Sequence, residues 1–300
     1  PSFREVYWAF AEAAAAEAAE GAVVWVHDYN LWLVPGYLRQ MRPDLRISFF
    51  HHTPFPSADM FNVLPWRREI VESLLACDVV GFHIPRFAAN FVTVCQSLLE
   101  VEVLYRATVS PEFTIDGTAL SDRRAPVIVG FEGRRIRVVA APVGVDAGFL
   151  EKQAWEPETA AGMADIRAEL GADTRLILSV GRTDYTKGGI EQLESFERVL
   201  TDNPELRGKV RLMHVSVSAN RNMAAYEEVQ SGIEQIAGRV NGTVCSFERQ
   251  PVSLISTPVP FRNLIAYYRS ADVAWITPLA DGMNLVCEEY VASRVDGDGV

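Results

Sequence analysis

The sequence is short of the features that mark secreted and membrane-spanning proteins. Four cysteines occur in 300 residues, and none of them forms a CxxC pair, so we expect reduced structural thiols in a cytosolic protein. They are Cys77, Cys95, Cys245 and Cys287. No apolar run reaches the roughly 20 residues of a membrane-spanning helix, and no signal peptide is visible. We therefore expect a cytoplasmic protein that does not contact a membrane.

Basic charge is also scarce. The 28 lysines and arginines face 39 acidic side chains, which gives a net charge of −11. This balance argues against a nucleic-acid-binding or anionic-membrane surface, so a phosphate ligand would need a local basic pocket. The histidines lack metal-ligand spacing, because neighbours such as His51 and His52 point opposite ways in an extended chain. We expect no metal site, with one of these two histidines in a cleft and the other structural.

Apolar runs, polar loops and helical patterns alternate along the chain. This alternation predicts parallel sheets with helices on both faces. We predict two Rossmann-like doubly wound units, residues 1–143 and 173–300, joined by a polar helical linker at 144–172. A cleft is expected between their carboxyl edges, where such folds bind ligands. The first residue is not Met, and the end, DGDGV, resembles a turn before a further strand. We therefore expect a piece of a longer protein.

An apolar run at 273–276, a polar turn and a helical pattern form the most informative stretch. Asp281 and Gly282 lie in the turn, where a helix amino terminus favours anionic or hydroxyl-rich ligands. Glu289 follows about 12 Å further along the helix. Two carboxylates at this spacing could hold both ends of a nucleotide sugar. The alternative is that Asp281 caps the helix and Glu289 is solvated.

A second loop, residues 181–188, places two cations between a strand and a helix. Arg182 and Lys187 there could neutralise a diphosphate, together with the helix amino terminus. The loop matches neither the Walker pattern nor GxGxxG. The alternative is a solvated basic turn in which Arg182 pairs with Asp184.

A third loop places Asp28 at the end of the first strand, directly after His27. A carboxylate in this position could accept hydrogen bonds from the hydroxyls of a sugar or of glycerol, or could act as a general base. Alternatively, Asp28 caps the helix that follows.

Six strings, in order along nearly the whole chain, resemble the retaining glycosyltransferase family of trehalose-6-phosphate synthase. They are WVHDYN (25–30), HHTPFPSADMFNVLPWRREI (51–70), GFHIPR (81–86), GRTDYTKG (181–188), AGRVNG (237–242) and TPLADGMNLVCEEYVA (277–292). The resemblance implies an α/β fold of the GT-B type, with an acceptor-side unit followed by a nucleotide-sugar unit. Trehalose-6-phosphate synthases usually have LHIPFP where this chain has HHTPFP. In this detail the chain resembles a branch of the family that transfers glucose from ADP-glucose to sn-glycerol 3-phosphate. Its product would be an osmolyte precursor.

The resemblance also implies roles for individual residues at the donor. Arg182 and Lys187 would hold the diphosphate and the charge that develops on the leaving ADP, which stabilises the transition state without an enzymic nucleophile. Glu289 would bind the ribose, and Leu264 lies where the base would contact backbone. His52 would lie against the donor sugar. The residues expected to hold the glucose hydroxyls are Asp281, Gly282, Met283, Asn284 and Leu285.

At the acceptor, the resemblance gives Asp28 a contact with the acceptor and a part in catalysis. Trehalose-6-phosphate synthases have an arginine that grips the acceptor phosphate where this chain has Asn220, with Arg221 beside it, which fits an acceptor smaller than glucose 6-phosphate. The family's amino-terminal glycine loop does not occur in these residues. If they were the whole molecule, we would predict little activity.

The implied partners are a nucleotide sugar and a small phosphorylated acceptor, with no cofactor, no metal and no nucleic acid. The oligomeric state stays open, with a homo-oligomer possible. Two other functions are retained as alternatives. One is a trehalose-6-phosphate synthase that uses UDP- or ADP-glucose and glucose 6-phosphate. The other is a non-catalytic sugar-nucleotide sensor.

Overall fold

A computed structural model describes residues 2–110, 124–171, 173–218, 224–244 and 250–300. The chain divides into two compact units, Pro1–Val143 and Gly144–Val300, and each is described by itself.

The first unit is a six-stranded sheet flanked by helices. Its strands are β1 (Val23–His27), β2 (Arg46–His51), β3 (Val79–Phe82), β4 (Glu102–Thr108), β5 (Arg124–Phe131) and β6 (Arg134–Ala140). Its helices are α1 (Phe3–Glu17), α2 (Val34–Met41), α3 (Ala58–Phe61), α4 (Arg67–Leu75) and α5 (Pro85–Leu98). The spatial order is β1-β2-β3-β6-β5-β4. Strands β1, β2, β3 and β6 are parallel.

The prediction of a wholly parallel sheet is wrong at one edge. Strand β5 is antiparallel to both of its neighbours, β4 and β6. Only Glu132 and Gly133 connect β5 to β6, and both have positive φ, +46° and +75°. A two-residue turn with two positive φ angles makes a tight antiparallel hairpin, whereas a parallel connection needs a dozen residues or more.

The second unit is a four-stranded parallel sheet in the order β10-β7-β8-β9. Its strands are β7 (Arg175–Arg182), β8 (Val210–Val217), β9 (Val252–Ile255) and β10 (Val273–Ala274). Its helices are α6 (Ala147–Ala154), α7 (Pro157–Leu170), α8 (Gly189–Asp202), α9 (Ala224–Val244), α10 (Phe261–Ser270) and α11 (Leu285–Ser293). The segment expected to be a linker, residues 144–172, supplies the first two of these helices.

Strand β9 was not predicted, and β10 is shorter than its apolar run suggests. β9 has four residues and β10 has two. An apolar stretch this short carries no clear period, so the sequence pattern alone does not separate it from a loop.

In the described part of the chain, no helix is both long enough and apolar enough to cross a bilayer. Cys77 and Cys95 are free and buried, and Cys287 is free and exposed. Burial raises the pKa of the Cys95 thiol well above its ordinary value, so this thiol is unreactive. Cys245 lies outside the described residues.

Candidate active site

Two loops lie side by side at the carboxyl edge of the second sheet. One runs from the end of β7 at Arg182 to the start of α8 at Gly189, and the other runs from β10 to α11. They are neighbours because β7 and β10 pair in parallel. This edge is the usual ligand-binding edge of a doubly wound sheet.

Backbone contacts tie the two loops together. The carbonyl oxygen of Thr186 accepts hydrogen bonds from the backbone N–H groups of Leu279, at 2.8 Å, and Ala280, at 3.2 Å. Gly188 has φ +70°, and a Cβ atom there would lie 2.9 Å from the carbonyl oxygen of Thr277. Glycine is therefore required at this position for two reasons, its backbone conformation and the closeness of the second loop.

The side chains of Lys187 and Asp281 meet where the loops touch. Nζ of Lys187 donates to Oδ2 of Asp281 at 2.6 Å, with the two side chains 22% and 18% exposed. Asn284 Nδ2 donates to the same oxygen at 2.9 Å, and the backbone N–H of Gly282 donates to Oδ1 at 3.0 Å. Three donors therefore fix the Asp281 carboxylate, and the loop presents one cation and one anion together.

Asp281 is not the cap of α11, so the structural alternative for this residue is wrong. The cap is Asn284, whose Oδ1 accepts from the backbone N–H of Cys287 at 3.0 Å. Asn284 therefore serves both the helix end and the Asp281 carboxylate.

Arg182 is not held in a strong ion pair. Its side chain is 65% exposed, and its guanidinium lies 4.0 Å from Oδ2 of Asp184, a separation at which a solvated pair contributes little. Oδ1 of Asp184 instead accepts from the backbone N–H and hydroxyl of Thr186, at 2.9 and 2.8 Å. Arg182, Lys187 and Asn284 line one cavity above the sheet. Asp184 thus shapes the turn and leaves Arg182 available to a ligand.

A buried glutamine beneath the loops was missed by the sequence reasoning. Gln192 of α8 is 4% exposed. Its Oε1 accepts from the hydroxyl of Ser179 at 2.7 Å. Its Nε2 donates at 3.2 Å to the carbonyl of Trp275 and to Oγ1 of Thr277. Gln192 therefore joins β7, α8 and the second loop. Its position four residues before the buried Phe196 was the available signal.

His214 of β8 lies under the start of α8. A Cβ atom added at Gly189 would lie 3.3 Å from its Nε2. Its Nδ1 has no hydrogen-bond partner among the described residues. Burial lowers the pKa of His214 to about 4, so this ring is neutral at physiological pH.

The remaining predicted donor residues lie on α10 and α11. Glu289 is in α11, and its Oε2 accepts from the hydroxyl of Tyr268 at 2.7 Å. Leu264 lies one turn before Tyr268 on α10. It is partly buried and packs against the apolar cluster to which Tyr268 belongs. Met283 and Leu285 are half-buried in and after the second loop. Glu289 and Leu264 do not line the cavity that Arg182 and Lys187 share.

In the first unit, Asp28 and His52 are neighbours at the carboxyl ends of β1 and β2. Oδ1 of Asp28 accepts from the backbone N–H of His52 at 3.2 Å. Asp28 has φ +65°, a rare conformation for a residue other than glycine. Its side chain makes no cap bond to the short 3₁₀ turn Tyr29–Leu31, so the capping alternative is wrong. The Asp28 side chain therefore contacts the backbone at the end of β2 and not the turn that follows it.

The histidines of the first unit form a close group. Nδ1 of His27 lies 2.9 Å from Nε2 of His52, so one ring donates to the other. His51 points elsewhere: it is buried, and its Nδ1 lies 2.8 Å from the carbonyl oxygen of Thr53. Burial lowers the pKa of His27 and of His51, which favours neutral rings.

Two of the sequence predictions concern an acceptor contact at Arg221 and the absence of a metal site. Arg221, predicted at the acceptor, lies outside the described residues. Across the residues that the structure does describe, no group of three or more His, Cys, Asp or Glu side chains is placed to hold a metal ion.

Two Rossmann-like α/β units of this kind define the GT-B class of fold, as the sequence predicted. Residues 1–300 match the family model described as glycosyltransferase family 20. The chain belongs to that family.

The chain is similar to glucosylglycerol-phosphate synthases and to trehalose-phosphate synthases. It is 49% identical over 300 residues to the glucosylglycerol-phosphate synthase of Pseudomonas anguilliseptica, covering 99% of this chain and 40% of that protein. It is 46% identical over 299 residues to the glucosylglycerol-phosphate synthase of Synechocystis sp., covering 100% of this chain and 60% of that protein. A crystal structure of the UDP-forming trehalose-phosphate synthase of Burkholderia xenovorans with glucose-6-phosphate superposes with a TM-score of 0.86 at 30% identity. It covers 99% of this chain and 62% of that chain. The chain thus spans only part of each relative.

Proposed function

We propose that the protein containing this chain is a retaining glucosyltransferase. It moves glucose from ADP-glucose to sn-glycerol 3-phosphate and forms glucosylglycerol phosphate, as part of compatible-solute synthesis. The observation that carries the proposal is the Lys187–Asp281 pair on two tied loops at a ligand-binding sheet edge. The identities of 46% and 49% to glucosylglycerol-phosphate synthases support this acceptor.

The proposed chemistry is the departure of an anionic diphosphate from glucose. Arg182 and Lys187 stabilise the charge that develops on the leaving ADP, as fixed cations do when they lie where transition-state charge appears. The first N–H groups of α8, which follows Gly188 without a side-chain cap, add a positive dipole end. No proton needs to be donated to the leaving group.

The other proposed contacts to the nucleotide sugar come from the second loop and from helices α10 and α11. Asp281 and the backbone of 282–285 hold the glucose hydroxyls, Glu289 binds the ribose, and Leu264 marks the base contact. The roles that the family resemblance gives to His52, Asp28 and Arg221 stay predictions. We propose that no metal is needed, since Arg182 and Lys187 supply the positive charge that a cation would bring.

A trehalose-6-phosphate synthase is the second candidate. The match to a UDP-forming enzyme solved with glucose-6-phosphate favours it, and the same loops would serve that reaction. The sensor alternative has less support, because binding alone does not require a cation fixed beside the leaving group.

The test is a matrix of donors and acceptors on the full-length protein. ADP-glucose and UDP-glucose are each combined with glycerol 3-phosphate and with glucose 6-phosphate, with and without EDTA. We expect fastest turnover with ADP-glucose and glycerol 3-phosphate, an α-linked product by NMR and no effect of EDTA. Exclusive use of glucose 6-phosphate would replace the proposal by the second candidate. Nucleotide-sugar binding without turnover in any combination would favour a sensor.

A further inference from the structure

The contact between Tyr268 and Glu289 joins two helices of the second unit. Tyr268 lies on α10 and Glu289 on α11, 21 positions apart, and the tyrosine hydroxyl donates to Oε2 of the carboxylate at 2.7 Å. The side chain of Tyr268 is 1% exposed. Hydrogen bonds to an ionised acceptor are stronger than neutral ones, so this contact restrains the carboxylate.

The environment of Tyr268 makes the hydroxyl a fixed donor. Its ring packs in an apolar cluster with Leu176, Leu178 and Tyr290, which leaves it little freedom to rotate. Burial, and then the bond to Glu289, raise the pKa of the Tyr268 phenol far above its ordinary value. The phenol therefore keeps its proton at physiological pH and donates throughout.

The same contact leaves one acceptor for a ligand. Glu289 is half-buried, and among the described residues Tyr268 is its only side-chain partner. In the part of the chain that the structure describes, no hydrogen-bond donor contacts its second oxygen, Oε1, so this oxygen can accept from a hydroxyl. A carboxylate with one oxygen restrained and one open is suited to a ligand diol.

We propose that Tyr268 is a positioning residue of the donor site, whose buried hydroxyl holds one oxygen of Glu289 and orients the other toward the ribose of the nucleotide sugar. The inference rests on the proposed function, which gives Glu289 the ribose contact. Leu264 stands one turn away from Tyr268 on α10, so one helix would serve both the base and the ribose.

The experiment measures nucleotide affinity by calorimetry in the full-length protein. The variant is Tyr268→Phe, which removes one oxygen atom and keeps the ring. The probes are ADP, 2′-deoxy-ADP and 3′-deoxy-ADP. Tyr267→Phe is the matched control, because it removes a neighbouring hydroxyl on the same helix. Melting temperatures show whether each variant is folded.

We expect Tyr268→Phe to weaken ADP binding by about fivefold to twentyfold, because Glu289 loses the hydrogen bond that orients it and only part of that bond's free energy appears in binding. It should change the affinity of at least one deoxy analogue by less than twofold, because that analogue lacks the hydroxyl that Glu289 binds. Tyr267→Phe should leave all three affinities unchanged. Equal weakening of all three nucleotides by Tyr268→Phe would show a structural role only, and unchanged ADP affinity would also overturn the proposal.

Glu289→Gln separates failure of this inference from failure of the proposed function. If Glu289→Gln abolishes discrimination between ADP and a deoxy analogue and Tyr268→Phe does not affect it, the ribose contact stands and the inference is wrong. If neither variant affects discrimination, the ribose contact itself is wrong and the inference falls with it.

Discussion

The ammonium group of Lys187 donates a 2.6 Å hydrogen bond to Asp281, although 94 positions separate the two residues. Each follows a strand of the second sheet, and the strands β7 and β10 are neighbours. The pair therefore depends on the order of the strands. It sets a cation and an anion side by side at the ligand-binding edge.

Replacing Gly188 tests how closely the two loops must approach. Gly188→Ala places a Cβ at 2.9 Å from the Thr277 carbonyl in a backbone with φ +70°. Gly208→Ala is the matched control, since Gly208 has φ +77° and nothing within 4 Å of an added Cβ.

Both substitutions should cost about 1 kcal/mol for the left-handed backbone, measured by urea-induced unfolding. Gly188→Ala should cost roughly 1–3 kcal/mol more, because it is overpacked, and it alone should weaken ADP-glucose binding. Equal costs for the two variants would mean that the closeness of the loops does not matter.

Gln192→Leu tests the buried bridge beneath the loops. It leaves the Ser179 hydroxyl and the Thr277 hydroxyl without their partner. Loss of buried hydrogen bonds should lower the free energy of unfolding by about 1–3 kcal/mol, measured in urea. Gln40→Leu, at an exposed position of α2, should change it by less than about 0.5 kcal/mol. If Gln192→Leu lowers the free energy of unfolding no more than Gln40→Leu does, Gln192 does not stabilise the two loops.

His214 gives the second unit a pH-dependent stability. Its pKa is lowered by burial to about 4, from an ordinary value of 6.5. Between about pH 4 and pH 6.5, His214 is therefore protonated in the unfolded chain and neutral in the folded chain. This contribution to stability is present above pH 6.5 and is lost as the pH falls toward 4.

The measurement is urea-induced unfolding at pH 7 and pH 5, for the wild type and for His214→Gln. The wild type should lose about 2 kcal/mol more than the variant over this interval. His27 and His51, whose pKa values are also lowered, contribute equally to both proteins. Equal losses in the two proteins would show that His214 is protonated in the folded state.

Much of the fold follows from the sequence, because buried strands are apolar and their loops are polar. The apolar runs 22–26 and 175–180 predict strands where the structure has β1 (Val23–His27) and β7 (Arg175–Arg182). The hairpin of β5 and β6 was missed because its signal lies in two turn residues, Glu132 and Gly133, rather than in a period. Strand β9 was missed because four residues are too few to show one.

The candidate site was only partly predictable, for a different physical reason. Lys187 and Asp281 stand out because each follows a strand. Tyr268 does not, and Gln192 shows only the spacing of a buried helix position, since a hydrogen bond between side chains 13 or 21 positions apart leaves no periodic pattern. Such contacts become visible only when the helices are packed.

The charge of Lys187 is the feature on which the proposed glucosyl transfer most depends. Lys187→Ala in the full-length protein should lower kcat for glucosyl transfer from ADP-glucose by about 10²- to 10³-fold, the usual cost of removing one preorganised charge-stabilising group. Lys209→Ala is the matched control, because this exposed lysine precedes β8 at the opposite edge of the sheet. The kcat of Lys209→Ala should equal that of the wild type. An unchanged kcat in Lys187→Ala would contradict the proposal that this cation stabilises the departing diphosphate.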